Sequence, residues 1–352
     1  MDKWGAVNTK LTKEGTSSRT TVAVCVLAGV LIAGGLFIAG MYAAEPVIDT
    51  YLNESKQIGH LYDFYDLKVG KNQNAVYFIG SSIIGDSIYP PYIEGNLSEM
   101  GYNFSIYNLI VNGDTPVRRS VEIQKIIDSS PLFVVYGVTY RSVADESIWP
   151  DERVILVHDR LDVREDAWQL YSEKEQEDLQ AEPTFHYKKK FLVNALSYSP
   201  ASFDFFTHDY LNDPYGITAR EYRSERKDPT QIFREANDPT DIWHPVVTNE
   251  STRYKQALIY NVQTLQNAGI PVVLINMPLH PLTSEKITNE SRRNFSDLLN
   301  ETGAKWYDME FGCGDEYFFD SHHMTFYGAT QFAPRMADLI IEEVKSGAVH
   351  YA

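Results

Sequence analysis

The sequence predicts an α/β fold, a parallel sheet with helices on both faces, preceded by one membrane-spanning helix. Three observations carry this. Short apolar runs at Val76 to Ile79, Ser105 to Val111, Leu132 to Val138, Pro271 to Ile275 and Trp306 to Met309 alternate with amphipathic stretches of helical length. That alternation is the pattern of strands joined by right-handed crossovers. The runs hold almost no charge, as strands buried on both faces require. Finally, Thr20 to Ala44 contains no charged side chain and is rich in Val, Leu, Ile, Ala and Gly, enough to cross a hydrocarbon core of about 30 Å at about 1.5 Å per helical residue.

In chain order, residues 1–19 carry Lys3, Lys10, Lys13 and Arg19 against Asp2 and Glu14, whereas Glu45 and Asp49 follow the apolar segment. The positive-inside tendency predicts a cytoplasmic tail over 1–19, a transmembrane helix over 20–44 and an extracellular remainder, a single-pass cell-membrane protein. A cleavable signal peptide ending at Tyr42-Ala43-Ala44 is the competing reading; its apolar core is longer than the usual ~7–15 residues. Residues 45–71 place Val47, Tyr51, Ile58, Leu61, Tyr62 and Tyr65 at helical spacing and are expected to form a juxtamembrane stalk. The domain proper is expected over 72–352. Seven Asn-x-Ser/Thr sequons, at Asn53, Asn96, Asn103, Asn249, Asn289, Asn294 and Asn300, suit an outside location and a glycoprotein. Cys25 lies in the span and Cys313 in the outer domain, so no disulfide framework or Cys-based zinc site is available. A formal net charge of −17 argues against nucleic acid as a partner.

Within the domain, Thr115-Pro116 predicts a helix start, with Val117, Val121, Ile126 and Ile127 on its apolar face. Ser251 or Thr252 opens a helix carrying Tyr254, Ala257, Leu258, Val262 and Leu265, closed by Gly269. The last helix is expected from about Tyr327 to Val344. Residues 142–250 are a mostly helical insertion, rich in charge and in aromatics such as Trp149, Trp168, Tyr171, Phe191 and Trp243. Its Lys188-Lys189-Lys190, Arg220, Arg223, Arg226 and Lys227 are read as solvated helix faces, or as a lid whose aromatics stack on sugars and whose cations meet anionic groups.

Parallel sheets bind ligands beyond the carboxyl ends of their strands. Ser82, Gly113, Arg141 and His280 all follow strand ends. The first strand stops at Gly80-Ser81-Ser82, a sharp turn presenting a hydroxyl. Far downstream, Asp320-Ser321-His322-His323 supplies a base and a carboxylate to orient it from one turn, what a serine needs to act as a nucleophile. His322 is the rival base. A metal reading of Asp320, His322 and His323 is disfavoured because adjacent histidines point apart, and the expectation is no metal and no cofactor.

Ile79-Gly80-Ser81-Ser82, Tyr107-Asn108-Leu109 with Gly113-Asp114-Thr115, and Asp320-Ser-His-His323 with Gly328-Ala329 together resemble the dispersed blocks of the SGNH (GDSL-like) hydrolase superfamily. The resemblance spans about Asn72 to Ala348, interrupted by the insertion. It is nearest in flavour to membrane-anchored cell-envelope members such as alginate O-acetylation and teichoic-acid D-alanylation proteins. It implies a flavodoxin-like three-layer fold and a serine esterase or O-acyltransferase acting on an acylated surface polysaccharide or glycan, with a membrane protein as a further partner. Ser82, following the buried strand, is the expected nucleophile; Ser87 of Gly85-Asp86-Ser87 matches the family letters and is the alternative. His323 is the implied base and Asp320 its orienting carboxylate. The backbone N–H groups of Ser82 and Gly113 are the implied oxyanion donors. Where the family carries an Asn donor this chain reads Gly137-Val138-Thr139-Tyr140-Arg141, leaving that place to Thr139, or to Tyr140 or Arg141. Arg141 and His280 are the expected substrate contacts. A catalytically silent domain that binds a glycan or a partner is the alternative function.

Overall fold

The computed structural model describes residues 8–43, 61, 64–66, 74–111, 113–144, 163–180, 223–237 and 246–347. The chain divides into two compact units, Met1–Tyr51 and Leu52–Ala352. The first unit is built on helix α1, Asn8–Ala43. Its Thr20–Gly40 stretch of 21 residues is long and apolar enough to cross a membrane, and no part of it is buried. An N-terminal helix of this kind is compatible with a single-pass anchor or a signal sequence.

The second unit is α/β. Among the described residues its sheet has five strands, β1 (Ala75–Ile79), β2 (Ser105–Asn108), β3 (Phe133–Val138), β4 (Val272–Asn276) and β5 (Lys305–Asp308), in the order β2-β1-β3-β4-β5. Every pairing is parallel. Among the described residues the α-helices of this unit are, in chain order, α2 (Ser82–Ser87), α3 (Pro90–Glu99), α4 (Pro116–Arg119), α5 (Ile123–Ser129), α6 (Tyr140–Ala144), α7 (Glu173–Gln180), α8 (Pro229–Asn237), α9 (Arg253–Asn267), α10 (Pro281–Ser284), α11 (Asn289–Glu301) and α12 (Phe326–Lys345).

Side chains alternate across a strand, and here the alternation feeds two separate cores. Tyr77, Ile79, Val134, Tyr136, Val138 and Leu274 pack with Leu258, Val262 and Leu265 of α9 and Phe295, Leu298 and Leu299 of α11. Val76, Phe78, Phe133, Val135, Val273 and Ile275 pack with Ile93 and Leu97 of α3 and Phe332, Met336, Leu339 and Ile340 of α12. The sheet is therefore covered on both faces, which makes three layers.

Three expectations shift. The second strand was expected to reach Val111, yet pairing ends at Asn108. Beyond it the N–H groups of Leu109 and Val111 still donate to the carbonyls of Phe78 and Gly80, at 2.8 and 3.0 Å. These bonds draw the chain ahead of Gly113 alongside the end of β1. The expected stalk lies mostly outside the described residues, but Leu61, Phe64 and Tyr65 are buried. Phe64 packs on Tyr77 and Tyr107 with ring centroids 5.8 and 5.0 Å apart. The packed body thus begins before residue 72. The helix opened by Thr115 is also not continuous: a 3₁₀ turn at Ser120–Glu122 separates α4 from α5.

Candidate active site

The turn after β1 depends on glycine. Gly80 has φ +135°, and a Cβ there would lie 2.5 Å from the Gly137 carbonyl oxygen and 2.9 Å from Ile84 Cγ2. Only glycine lets the chain leave β1 this tightly against β3. Ser81 is the N-cap residue, in extended conformation. Ser82 follows as the first residue of α2, beside the carboxyl edge of the sheet.

The opposing turn is built just as closely. Phe318 and Met324 form an antiparallel bridge, and the Phe319 N–H donates to the His323 carbonyl at 2.7 Å. Asp320 Oδ1 accepts the N–H groups of His322 and His323 at 3.0 and 2.8 Å. Thr325 caps α12 by accepting the Gly328 N–H at 3.0 Å. A Cβ on Gly328 would meet the Tyr317 carbonyl oxygen at 2.2 Å, so α12 sits directly on this turn.

Across the 241 residues separating them, Ser82 Oγ and His323 Nε2 lie 2.9 Å apart. On the other side of the ring, Nδ1 lies 3.0 Å from Asp320 Oδ2 and 3.2 Å from Oδ1. Burial alone pushes the Asp320 carboxyl up. The hydrogen bond from His323, the charges of His322 and His323 and the His323 N–H outweigh it and hold the group well below the usual carboxylate range. His322, the rival base, stands beside the same carboxylate, its Nδ1 3.6 Å from Asp320 Oδ1. Its Nδ1 meets Ser321 Oγ at 2.9 Å, and burial, then the charge of His323 beside it, push it down to about 2. Its buried ring packs 3.9 Å, centroid to centroid, from that of His323.

Ser87 is not in this constellation. It is buried, and its hydroxyl donates to the Ile83 carbonyl at 2.7 Å. Contrary to the expectation that adjacent histidines point apart, Asp320, His322 and His323 offer ligand atoms within 4.8 Å of one another; both His323 nitrogens and His322 Nδ1 have the hydrogen-bond partners named above.

Next to Ser82 a small crevice is lined by Ser81, Gly113, Asp114, Thr115, Thr139, Arg141 and Ser142. It brings the expected oxyanion residues Gly113 and Thr139 together with Arg141. Thr139 is buried at the carboxyl end of β3, its Oγ1 3.3 Å from Ser142 Oγ, and its N–H donates to the same hydroxyl at 3.2 Å. His280 is also at the sheet edge, but buried. Its Nδ1 accepts the Leu282 N–H at 3.2 Å to cap α10, and its ring packs on Phe318 at 5.5 Å.

Two features escape a reading of the sequence. Beneath the crevice, Asp114, Arg118, Arg119 and Glu122 form a buried ion cluster. Arg119 Nε donates to Asp114 Oδ2 at 2.8 Å and Nη1 to Glu122 Oε2 at 2.7 Å, while Nη2 lies 3.5 Å from the Gly80 carbonyl. Arg119 thus joins the turn before Ser82 to the loop of Gly113. The i, i+4 spacing of Asp114, Arg118 and Glu122 was visible in the sequence, but such spacing is also how surface helices pair their charges. The second feature is in the insertion, where Arg223, Arg226 and Lys227 precede α8 and face the Asp320 turn instead of forming a solvated helix face. Arg226 Nη2 lies 3.3 Å from Asp315, and Arg223 and Lys227 approach Asp320 itself. Of the insertion's aromatics, Trp168 and Tyr171 pack against the core; Trp149, Phe191 and Trp243, like Lys188 to Lys190 and Arg220, lie outside the described residues.

Fold and site together define an α/β protein with a hydrogen-bonded Ser-His-Asp chain at the carboxyl edge of its sheet. One protein-family model, with no activity described, matches residues 248–345. The match runs from just before α9 to the end of α12 and includes Asp320 and His323 but not Ser82. No curated protein matches the chain.

Proposed function

We propose that the protein is a serine-dependent ester hydrolase or O-acyltransferase of SGNH type, acting on an acylated cell-surface glycan. The observation that carries this is the 2.9 Å contact between Ser82 Oγ and His323 Nε2, with Asp320 on the far side of the ring. Ser82 Oγ attacks the acyl carbon while its proton passes to His323 Nε2. The N–H groups of Ser82 and Gly113 hold the oxyanion, and the imidazolium protonates the departing alkoxide. The resulting acyl-Ser82 ester is then attacked by water or by a sugar hydroxyl, whose proton His323 takes and returns to Ser82. Water makes the protein an esterase, and a sugar makes it an acyltransferase.

The glycan as substrate, the N-terminal segment as a membrane anchor with the domain outside, and a membrane protein as partner rest on the sequence features and the family resemblance. The second reading, a silent domain that binds glycan or a partner, is favoured by one observation: where the family places an Asn donor, Thr139 spends its hydroxyl near Ser142. Turnover of an acetylated chromogenic ester by the full-length protein separates the two. Activity lost in Ser82→Ala and His323→Ala but kept in Ser87→Ala supports the enzyme; no turnover by folded wild type supports the binding protein.

A further inference from the structure

Two cations from the insertion rest on the Asp320 carboxylate. Arg223 Nη1 lies 3.4 Å and Lys227 Nζ 3.7 Å from Oδ2, the same oxygen that His323 Nδ1 meets at 3.0 Å. Backbone bonds hold the segment in place. The Phe326 N–H donates to the Arg223 carbonyl and the Lys227 N–H to the Phe319 carbonyl, each at 2.9 Å. Both cations also lie over the Phe319 ring, 4.5 and 5.3 Å from its centroid. A carboxylate beside an imidazole favours the charged ring, and cations at the same oxygen oppose it.

We propose, resting on the serine-enzyme reading, that Arg223 and Lys227 are positioning residues that weaken the hold of Asp320 on the His323 imidazolium and so set the pH range in which Ser82 is activated. Among the described residues, the other charged or titratable groups around this turn include His322 on the turn itself, Asp315 ahead of it, Arg226 paired with Asp315, Arg141 at the start of α6 and His280 ahead of α10. Glu235 of α8 shares Lys227 at 2.7 Å, so the effect is divided between the two cations. Removing either lets Asp320 bind the imidazolium more tightly. His323 then keeps its proton to higher pH, and the acidic limb of activity moves upward.

The test follows full-length protein in detergent, reading the pH dependence of fluorophosphonate labelling and the titration of the ¹³C-labelled His323 ring by NMR. Arg223→Gln and Lys227→Gln are each expected to move both upward by about half to one pH unit, allowing for screening at this half-exposed site. The double variant should move further, and Arg223→Lys should stay close to wild type. Labelling that slows equally at all pH, with the ring titration unmoved, overturns the proposal and leaves the segment a docking contact. If wild type does not label, the serine-enzyme reading fails separately, and an unmoved ring titration still overturns the effect of the two cations.

Discussion

Ser82 and Ser87 differ in what their hydroxyls touch. One meets an imidazole that is itself held by a carboxylate, and the other is spent on the carbonyl four residues back. That difference was legible in the sequence, because a nucleophile is best held by the turn directly after a buried strand, and Asp320 and His323 lie within one turn. The cations on Asp320 were not legible: Arg223 reaches it across 97 residues, and no local pattern tells such an arginine from one in water. His322 supplies a prediction at this scale. Its folded-state pKa, pushed down to about 2, lies below the ordinary histidine value of about 6.5. As pH falls below about 6.5 the unfolded chain takes up this proton first, so stability present above that pH is lost progressively toward the folded value. One such proton contributes a slope of up to about 1.4 kcal/mol per pH unit. Urea denaturation of His322→Asn should show a flatter loss of stability between pH 6.5 and 4 than wild type; equal slopes would mean that His322 is not the acid-sensitive group.

Among the elements, the strands were legible because uncharged apolar runs have few other uses, and α9 and α12 because their apolar faces repeat at helical spacing. Helices α3 and α11 gave weaker signals. The first opens on Pro90-Pro91, and the second buries only Ser291, Phe295, Leu298 and Leu299 in an otherwise polar stretch. The ion cluster below the crevice was hidden because its residues are those of an exposed helix, and only tertiary packing shows that Arg119 and Glu122 have no access to water. The turn between β1 and α2 is the element on which the site depends. Gly80→Ala forces a side chain against the Gly137 carbonyl at a positive φ, and should destabilise the fold by about 1–3 kcal/mol. Thermal unfolding checks the stability, and ester turnover in the cold, where the variant is folded, should be reduced as well because Ser82 is displaced. A Gly80→Ala protein with wild-type stability and activity would show that β1 can leave the sheet without glycine.

At the scale of the whole molecule, the packed body reaches back to Leu61. The sequons are not equivalent on this body. Asn103, Asn249 and Asn289 are exposed, whereas the Asn294 amide donates to the Val247 carbonyl at 2.8 Å. Expression through a glycosylating secretory route should therefore place glycans at the first three and leave Asn294 bare, as read by peptide mass spectrometry before and after glycosidase. A fully occupied Asn294 would contradict the packing of α11 against residues 246–250.

The proposed chemistry turns on Ser82 as the residue that His323 activates. Its most direct test is to label the full-length protein with a fluorophosphonate and sequence the labelled peptide. Adduct on Ser82, absent in His323→Ala, is the predicted result. Adduct on Ser87, or a folded wild-type protein that takes up no label, would contradict it.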